Sequence, residues 1–189
     1  MDGVKIMANI AIFLAEGFEE IEGLMVVDLL RRAGITVDMV SISDSLTVTG
    51  PHKITVTADK LLKDIDFDSY ELLVLPGGMP GTIHLGECEE LCDALVKACE
   101  SGKKIAAICA APTVFGKLGL LKGKKACCYP DMEDGLVGAE VSYQPVTVDG
   151  NITTSRGLGT ALPFALSLIE QLLDKETSDE LAEKVVYTK

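Results

Sequence analysis

The stretch "KKIAAICAAPTVFG", residues 103–116, ends an apolar run on a cysteine and follows it with tiny residues and a proline. If Ile105–Ile108 form a buried strand, Pro112 falls in the first turn of a helix, a place proline tolerates. Cys109 then occupies the sharp bend between them. A nucleophile elbow of the G-x-S-x-G type has these mechanics: small neighbours let one reactive side chain stand above a sheet. Here the pattern is Ala107-Ile108-Cys109-Ala110-Ala111. Backbone strain is expected at Cys109. A thiol ahead of a helix N-terminus meets the positive end of the dipole, so it is expected as a thiolate, with its pKa lowered into a range of roughly 3.5–7.5.

Such a nucleophile needs a proton partner and a place for negative charge. "EGFEEIE" offers Glu16, Glu19, Glu20 and Glu22. Helix-dipole stabilisation accounts for three of them. Glu22, between Ile21 and Gly23, is expected on the packed side, where burial keeps a carboxyl protonated. It could then donate to the sulfur and shuttle protons. "LPGGMPG" ends another apolar run, and its glycines leave N–H groups free to point inward. Those of Gly78 and Ala110, with Gly77 beside them, suit an oxyanion. "TSRGLGT" (154–160) is glycine-rich without being G-x-G-x-x-G or a P-loop, and is expected to border the site.

The elements that must position these residues alternate. Strands are expected at 9–15, 35–42, 70–78 and 103–109, hairpins at 46–59 and 140–155. Helices are expected at 17–34, 88–102, from 112, at 160–174 and at 178–186. Gly34 is a helix stop, with Arg31 and Arg32 in the last turn. Strands alternating with helices imply right-handed βαβ units and a mostly parallel sheet covered on both faces. Ligands gather beyond the carboxyl ends of such strands, so the three motifs should share one rim.

The 189 residues carry 48 % hydrophobic and 24 % charged residues and a net charge of −12. This fits a soluble globular chain and argues against nucleic acid or anionic membrane as partner. Asp2 and Lys5 interrupt the start, so no secretory signal is read. The six cysteines are then expected as reduced thiols in the cytosol. Cys88, Cys92 and Cys99 fall on one helix face without a fourth zinc ligand, so no metal is expected. Cys127 and Cys128 read as structural. His52, in a hairpin turn, and His84 read as surface or structural histidines, which leaves a Cys-His hydrolase without a clear imidazole.

"LAEGFEEIEGLMVVDLLRRAGI", "VLPGGMPG", "IAAICAAPTVF" and "TTSRGLGTALPFAL", in this order through nearly the whole chain, resemble the ThiJ/PfpI family, also called the parkinsonism-associated deglycase family, and its small bacterial ThiJ-type members most closely. The resemblance implies a single domain over residues 1–189, of class I glutamine amidotransferase-like type. Its fold would be a flavodoxin-like three-layer α/β sandwich, and its assembly a homodimer. On matching positions Cys109 is the nucleophile and Glu22 its acid partner; Gly77, Gly78 and Ala110 offer backbone groups. Glu19 and either Arg31 or Arg32 belong to the dimer-side surroundings of the site, and His52 is set at its periphery, with its reach toward a partner subunit left open. Some relatives carry a histidine in a T-H-P-like context, where this chain has "ACCYP". Tyr129, followed by Pro130, replaces it, which weakens a peptidase or amidase reading. What remains implied is a cofactor-free glyoxalase III-like or deglycase-type activity on small aldehydes such as methylglyoxal and glyoxal. The alternative is a cysteine-based oxidative-stress sensor without turnover.

Overall fold

The computed structural model describes residues 9–188, so Asp2 and Lys5 lie outside the described residues. The chain runs β1 (Asn9–Leu14), α1 (Glu20–Arg32), β2 (Thr36–Ser41), β3 (Thr47–Thr49), β4 (Thr55–Thr57), β5 (Lys60–Leu61), β6 (Leu72–Leu75), α2 (Gly81–Glu87), α3 (Glu89–Glu100) and β7 (Lys104–Ile108). It continues through α4 (Pro112–Lys117), β8 (Lys125–Ala126), β9 (Glu140–Val141), β10 (Val146–Asp149), β11 (Ile152–Ser155), α5 (Ala161–Leu172) and α6 (Lys175–Lys184). The central sheet has seven strands in the order β10-β11-β7-β6-β1-β2-β5. Every pair in it is parallel except β10 against β11.

Why the middle strands read as unbroken apolar runs is now visible. Strand side chains alternate between faces, and here both faces are covered. Ile10, Ile12 and Leu14 of β1 pack with Val26, Leu30, Phe164 and Leu168 of α1 and α5. Ala11 and Phe13 pack on the other side with Leu91, Leu95 and Phe115 of α3 and α4. The result is a three-layer, flavodoxin-like α/β sandwich. Between β1 and β6 the order of strands reverses along the chain, and such a switch point opens a crevice at the carboxyl ends of the strands.

Several boundaries differ from the sequence expectation. The helix expected from residue 17 starts at Glu20, because Gly17 (φ +83°) turns the chain first. Its inward face also differs: Ile21 is exposed, whereas Glu20, Glu22 and Gly23 are buried. The strand expected over 70–78 ends at Leu75, and Pro76–Gly78 turn away. The hairpin expected over 140–155 is only β10–β11; β9 pairs in parallel with β8 in a separate small sheet. The last helix begins at Lys175, three residues earlier than expected, since Asp174 accepts from the Thr177 N–H at 2.7 Å and caps it. Three elements had no sequence signal: the two-residue strands β5 and β8, and α2, seven residues long with glycines at 81 and 86. Among the described residues no helix is long and apolar enough to cross a membrane.

Candidate active site

Three strand ends build the site. After β7 the backbone bends at Cys109 with φ +65°, a left-handed conformation that costs about 1 kcal/mol or more in a residue with a Cβ. The bend is held from both sides. The Cys109 N–H donates to the Ser155 carbonyl at 3.0 Å, and its carbonyl accepts from the Tyr129 N–H at 2.8 Å. Ala110 and Ala111 are buried, which is why small residues follow the cysteine.

After β6, Gly77 and Gly78 pass so close that no side chain fits. A Cβ on Gly77 would lie 2.5 Å from the Cys109 Cβ and 2.5 Å from Glu22 Oε2. Gly78 has φ +93°, and its Cβ would run into the Glu19 nitrogen. After β1, the first turn of α1 delivers Glu22, 1 % exposed, whose Oε2 accepts from the Gly77 N–H at 3.0 Å. The carboxyl also hydrogen-bonds the Cys109 thiol, and the N–H groups of Ala110 and Gly78 bond the sulfur. One sulfur, one buried carboxyl and two aimed amides therefore meet at a point.

The protons of this pair correct one expectation. Burial raises the Glu22 pKa to about 7, against the pull of the Cys109 and Gly77 hydrogen bonds, with Glu19 adding repulsion. The Cys109 thiol is not lowered. Burial first, then the charge and hydrogen bond of Glu22, push it up to about 12, and the two N–H groups that favour thiolate are outweighed. A thiol set ahead of a short helix gains less from the dipole than it loses in leaving water beside a carboxylate. Coupled groups titrate as a pair, so between about 7 and 12 sulfur and carboxyl hold one proton between them.

The periphery is mixed. Gly157 forms part of the wall: a Cβ there would lie 3.4 Å from the Tyr129 ring and 3.9 Å from Glu22 Oε1. Tyr129 is half exposed, and Pro130 follows it at the surface. Glu19 closes the turn, its N–H donating to the Gly77 carbonyl at 2.8 Å. Arg31 and Arg32 are not beside the site within the chain. They sit nine and ten residues along α1 from Glu22, roughly 14 Å at 1.5 Å per residue. Arg31 binds Asp59 at 2.7 Å and Arg32 binds Asp28 at 2.6 Å. His52 reaches the glutamates but not the sulfur: its Nδ1–H donates to Glu20 Oε2 at 2.8 Å. His84 donates to the Glu16 carbonyl at 2.9 Å.

Sequence reasoning missed Glu20. Its carboxylate, 1 % exposed, accepts from the His52 N–H at 2.9 Å and the Ile54 N–H at 3.4 Å, tying the β3–β4 hairpin to α1. The available signal was Gly50, where any Cβ would strike this carboxylate. Burial works against the charge, yet the His52 side chain and the backbone donors outweigh it and lower the Glu20 pKa. A lowered carboxyl stabilises above its ordinary 4.5 and loses that stability as pH falls through the folded value. Glu20→Ala is expected to cost roughly 2 kcal/mol and to speed hydrogen exchange at His52 and Ile54. Unchanged exchange there would show that the hairpin does not depend on Glu20.

A parallel sheet with a strained cysteine at one strand end, a buried glutamate and paired amides defines a class of elbow-cysteine α/β proteins. The chain belongs to the DJ-1/PfpI family, whose pattern matches residues 8–171. It is 40 % identical over 180 residues to Protein DJ-1 homolog B of Arabidopsis thaliana, covering 94 % of this chain and 41 % of that protein. It therefore spans less than half the length of that plant relative. With Protein dj-1beta of Drosophila melanogaster it shares 40 % identity over 173 residues, covering 90 % of this chain and 92 % of the fly protein. The "Glutathione-independent glyoxalase DJR-1.2" of Caenorhabditis elegans is 31 % identical over 176 residues, covering 92 % and 93 %. Among solved structures, oxidized Toxoplasma gondii DJ-1 superposes with a TM-score of 0.93 at 36 % identity, covering 96 % of this chain and all of that one.

Proposed function

We propose that this chain converts small 2-oxoaldehydes, methylglyoxal and glyoxal, to 2-hydroxy acids without a cofactor. The observation that carries this reading is the convergence of the Cys109 sulfur, the Glu22 carboxyl and the Gly78 and Ala110 N–H groups. The relative named a glutathione-independent glyoxalase supports it.

The chemistry follows from the shared proton. As the sulfur adds to the aldehyde carbon, Glu22 takes the thiol proton, so a free thiolate need not accumulate. The amides of Gly78 and Ala110 turn to the new oxyanion. Glu22 hands the thiol proton to that oxyanion, completing a hemithioacetal, and as the carboxylate then moves the hydrogen of the aldehyde carbon, as a proton, to the neighbouring carbon through an enediol. The aldehyde carbon is oxidised to a thioester and the ketone carbon reduced to an alcohol. Water cleaves the thioester, releasing lactate or glycolate and restoring the thiol. The electrons balance within the substrate, and no external oxidant enters.

Lactate formed from methylglyoxal should fall by about 10³-fold or more in Cys109→Ser. In the wild type, kcat/KM should rise with pH through about 7, because the singly protonated pair is the active form. Turnover equal to that of Cys109→Ser would overturn the reading. A limb near pH 5 instead of 7 would overturn the proton assignment alone. The oxidized state of the Toxoplasma relative favours a second reading, a peroxide-sensing thiol. It requires that mild peroxide oxidise Cys109 before the other five thiols.

A further inference from the structure

We propose that a groove between α2 and α4, bordering the Cys109 site, is the subsite for the substrate's substituent, and that it selects 2-oxoaldehydes carrying an apolar chain of about six carbons over methylglyoxal. The inference rests on the aldehyde reading above and names its preferred substrate class. The groove holds about 220 Å³. An apolar cavity of about 150 Å³ is enough for benzene, so a group of about six carbons fits, whereas a methyl group leaves the space unused.

Its position ties it to the chemistry. Met79 lines it from the α2 side and directly follows Gly78. Thr113 lines it from α4 and follows Ala110 by three residues. Gly78 and Ala110 supply the N–H groups that meet the sulfur. Thr113 Oγ1 also donates to the Ala110 carbonyl at 2.7 Å, which fixes that wall to the site.

The lining suits an apolar occupant. Met79 and Ile83 are 49 % and 46 % exposed, and Val114 and Met132 join them around the groove. Methionine adapts its shape to an irregular guest. Gly86 keeps the space open, since even a Cβ there would touch Val114 Cγ2 at 3.4 Å. The polar groups around it offer water little. The Thr113 hydroxyl is spent on Ala110, and Lys117 Nζ donates to the Gly86 carbonyl at 3.1 Å. The Thr82 hydroxyl, in a residue 5 % exposed, is shut away without a hydrogen-bond partner among the described residues. Water in such a groove is weakly held, and an apolar group that displaces it gains affinity.

The test compares kcat/KM for hexylglyoxal and methylglyoxal, each read as the 2-hydroxy acid formed. Wild type should favour hexylglyoxal by ~10-fold or more, a fraction of what roughly five further buried methylenes can supply. Ile83→Asp sets a charge on an exposed wall residue and should cut that ratio at least ~10-fold. Val148→Asp, 48 % exposed on β10 and outside the lining, should leave the ratio as it is. A wild-type ratio near unity, or a ratio that Ile83→Asp does not alter, would overturn the proposal. So would a halved molecular mass of Ile83→Asp in solution, which would assign the groove to a second copy of the chain. Binding separates the subsite from the aldehyde reading itself. In Cys109→Ser with isotope-labelled methionine methyls, hexylglyoxal should shift the Met79 and Met132 signals and methylglyoxal should not. Unmoved signals would overturn the subsite. Shifted signals without Cys109-dependent turnover in the wild type would sustain the groove and sink the aldehyde reading alone.

Discussion

Glu22→Gln is expected to lose turnover by about 10²–10⁴-fold and yet to melt higher than the wild type above pH 7. The amide keeps the shape, and its carbonyl oxygen can still accept from the Gly77 N–H that now bonds Oε2 at 3.0 Å. It cannot accept the thiol proton, so the catalytic loss follows directly. The stability gain follows from linkage. Burial raises this carboxyl from 4.5 to about 7 in the folded chain. A raised group contributes fully below its unfolded value, and that contribution is lost as pH rises through the folded one. At pH 8 the wild type therefore holds a buried carboxylate at a cost of roughly 3 kcal/mol, at 1.36 kcal/mol per pH unit. Glutamine carries no such charge. Melts at pH 8 and pH 4.5 check this: the variant should lead by about 5 °C or more at pH 8, and the lead should close at pH 4.5. A variant that melts lower at pH 8 would show that Glu22 is comfortable as an anion, and the general-base role would go with it.

The residues that were legible in the sequence are those whose environment is set by neighbours along the chain. The runs around β1, β6 and β7 are apolar throughout because helices cover both faces, and that pattern survives in one dimension. Cys109 stood out because a bend between strand and helix needs alanines on both sides. Glu22 was selected correctly as the buried acid but on a faulty ground: Ile21, taken as its packed neighbour, is 43 % exposed. The acid is buried because Gly77, 55 residues away, donates to it, and no local pattern encodes that. Glu20 escaped for the same reason, since its partners His52 and Ile54 arrive on a hairpin more than 30 residues later. The thiol's proton was misjudged because the sequence shows the helix ahead of the sulfur but not how deeply the pair is buried. The dipole was visible, and the larger opposing effect was not.

Gly77→Ala should disable the site without removing either reacting group, because it displaces both. The added methyl would lie 2.5 Å from the Cys109 Cβ, 2.5 Å from Glu22 Oε2 and 2.9 Å from the Ile108 carbonyl oxygen. None of these can yield cheaply. The Ile108 oxygen is backbone at the end of β7. The Cys109 Cβ hangs from a residue already at φ +65°. The Glu22 carboxyl is boxed in at 1 % exposure. Relief therefore means moving one strand end against another, which breaks the Gly77 N–H bond to Glu22 and widens the gap between acid and sulfur. Overpacking of this kind costs about 1–3 kcal/mol, and a misplacement of about 1 Å at a reacting centre costs on the order of 10²-fold in rate. Gly159→Ala is the matched control: the same methyl there meets nothing within 4 Å, so activity and melting temperature should stay at wild-type values. The decisive comparison is the ratio of kcat/KM for the two alanine variants beside their melting temperatures. If Gly77→Ala retained wild-type turnover, the close approach of the three strand ends would not be what holds nucleophile and acid in register, and the geometry assigned to the site would have to be abandoned.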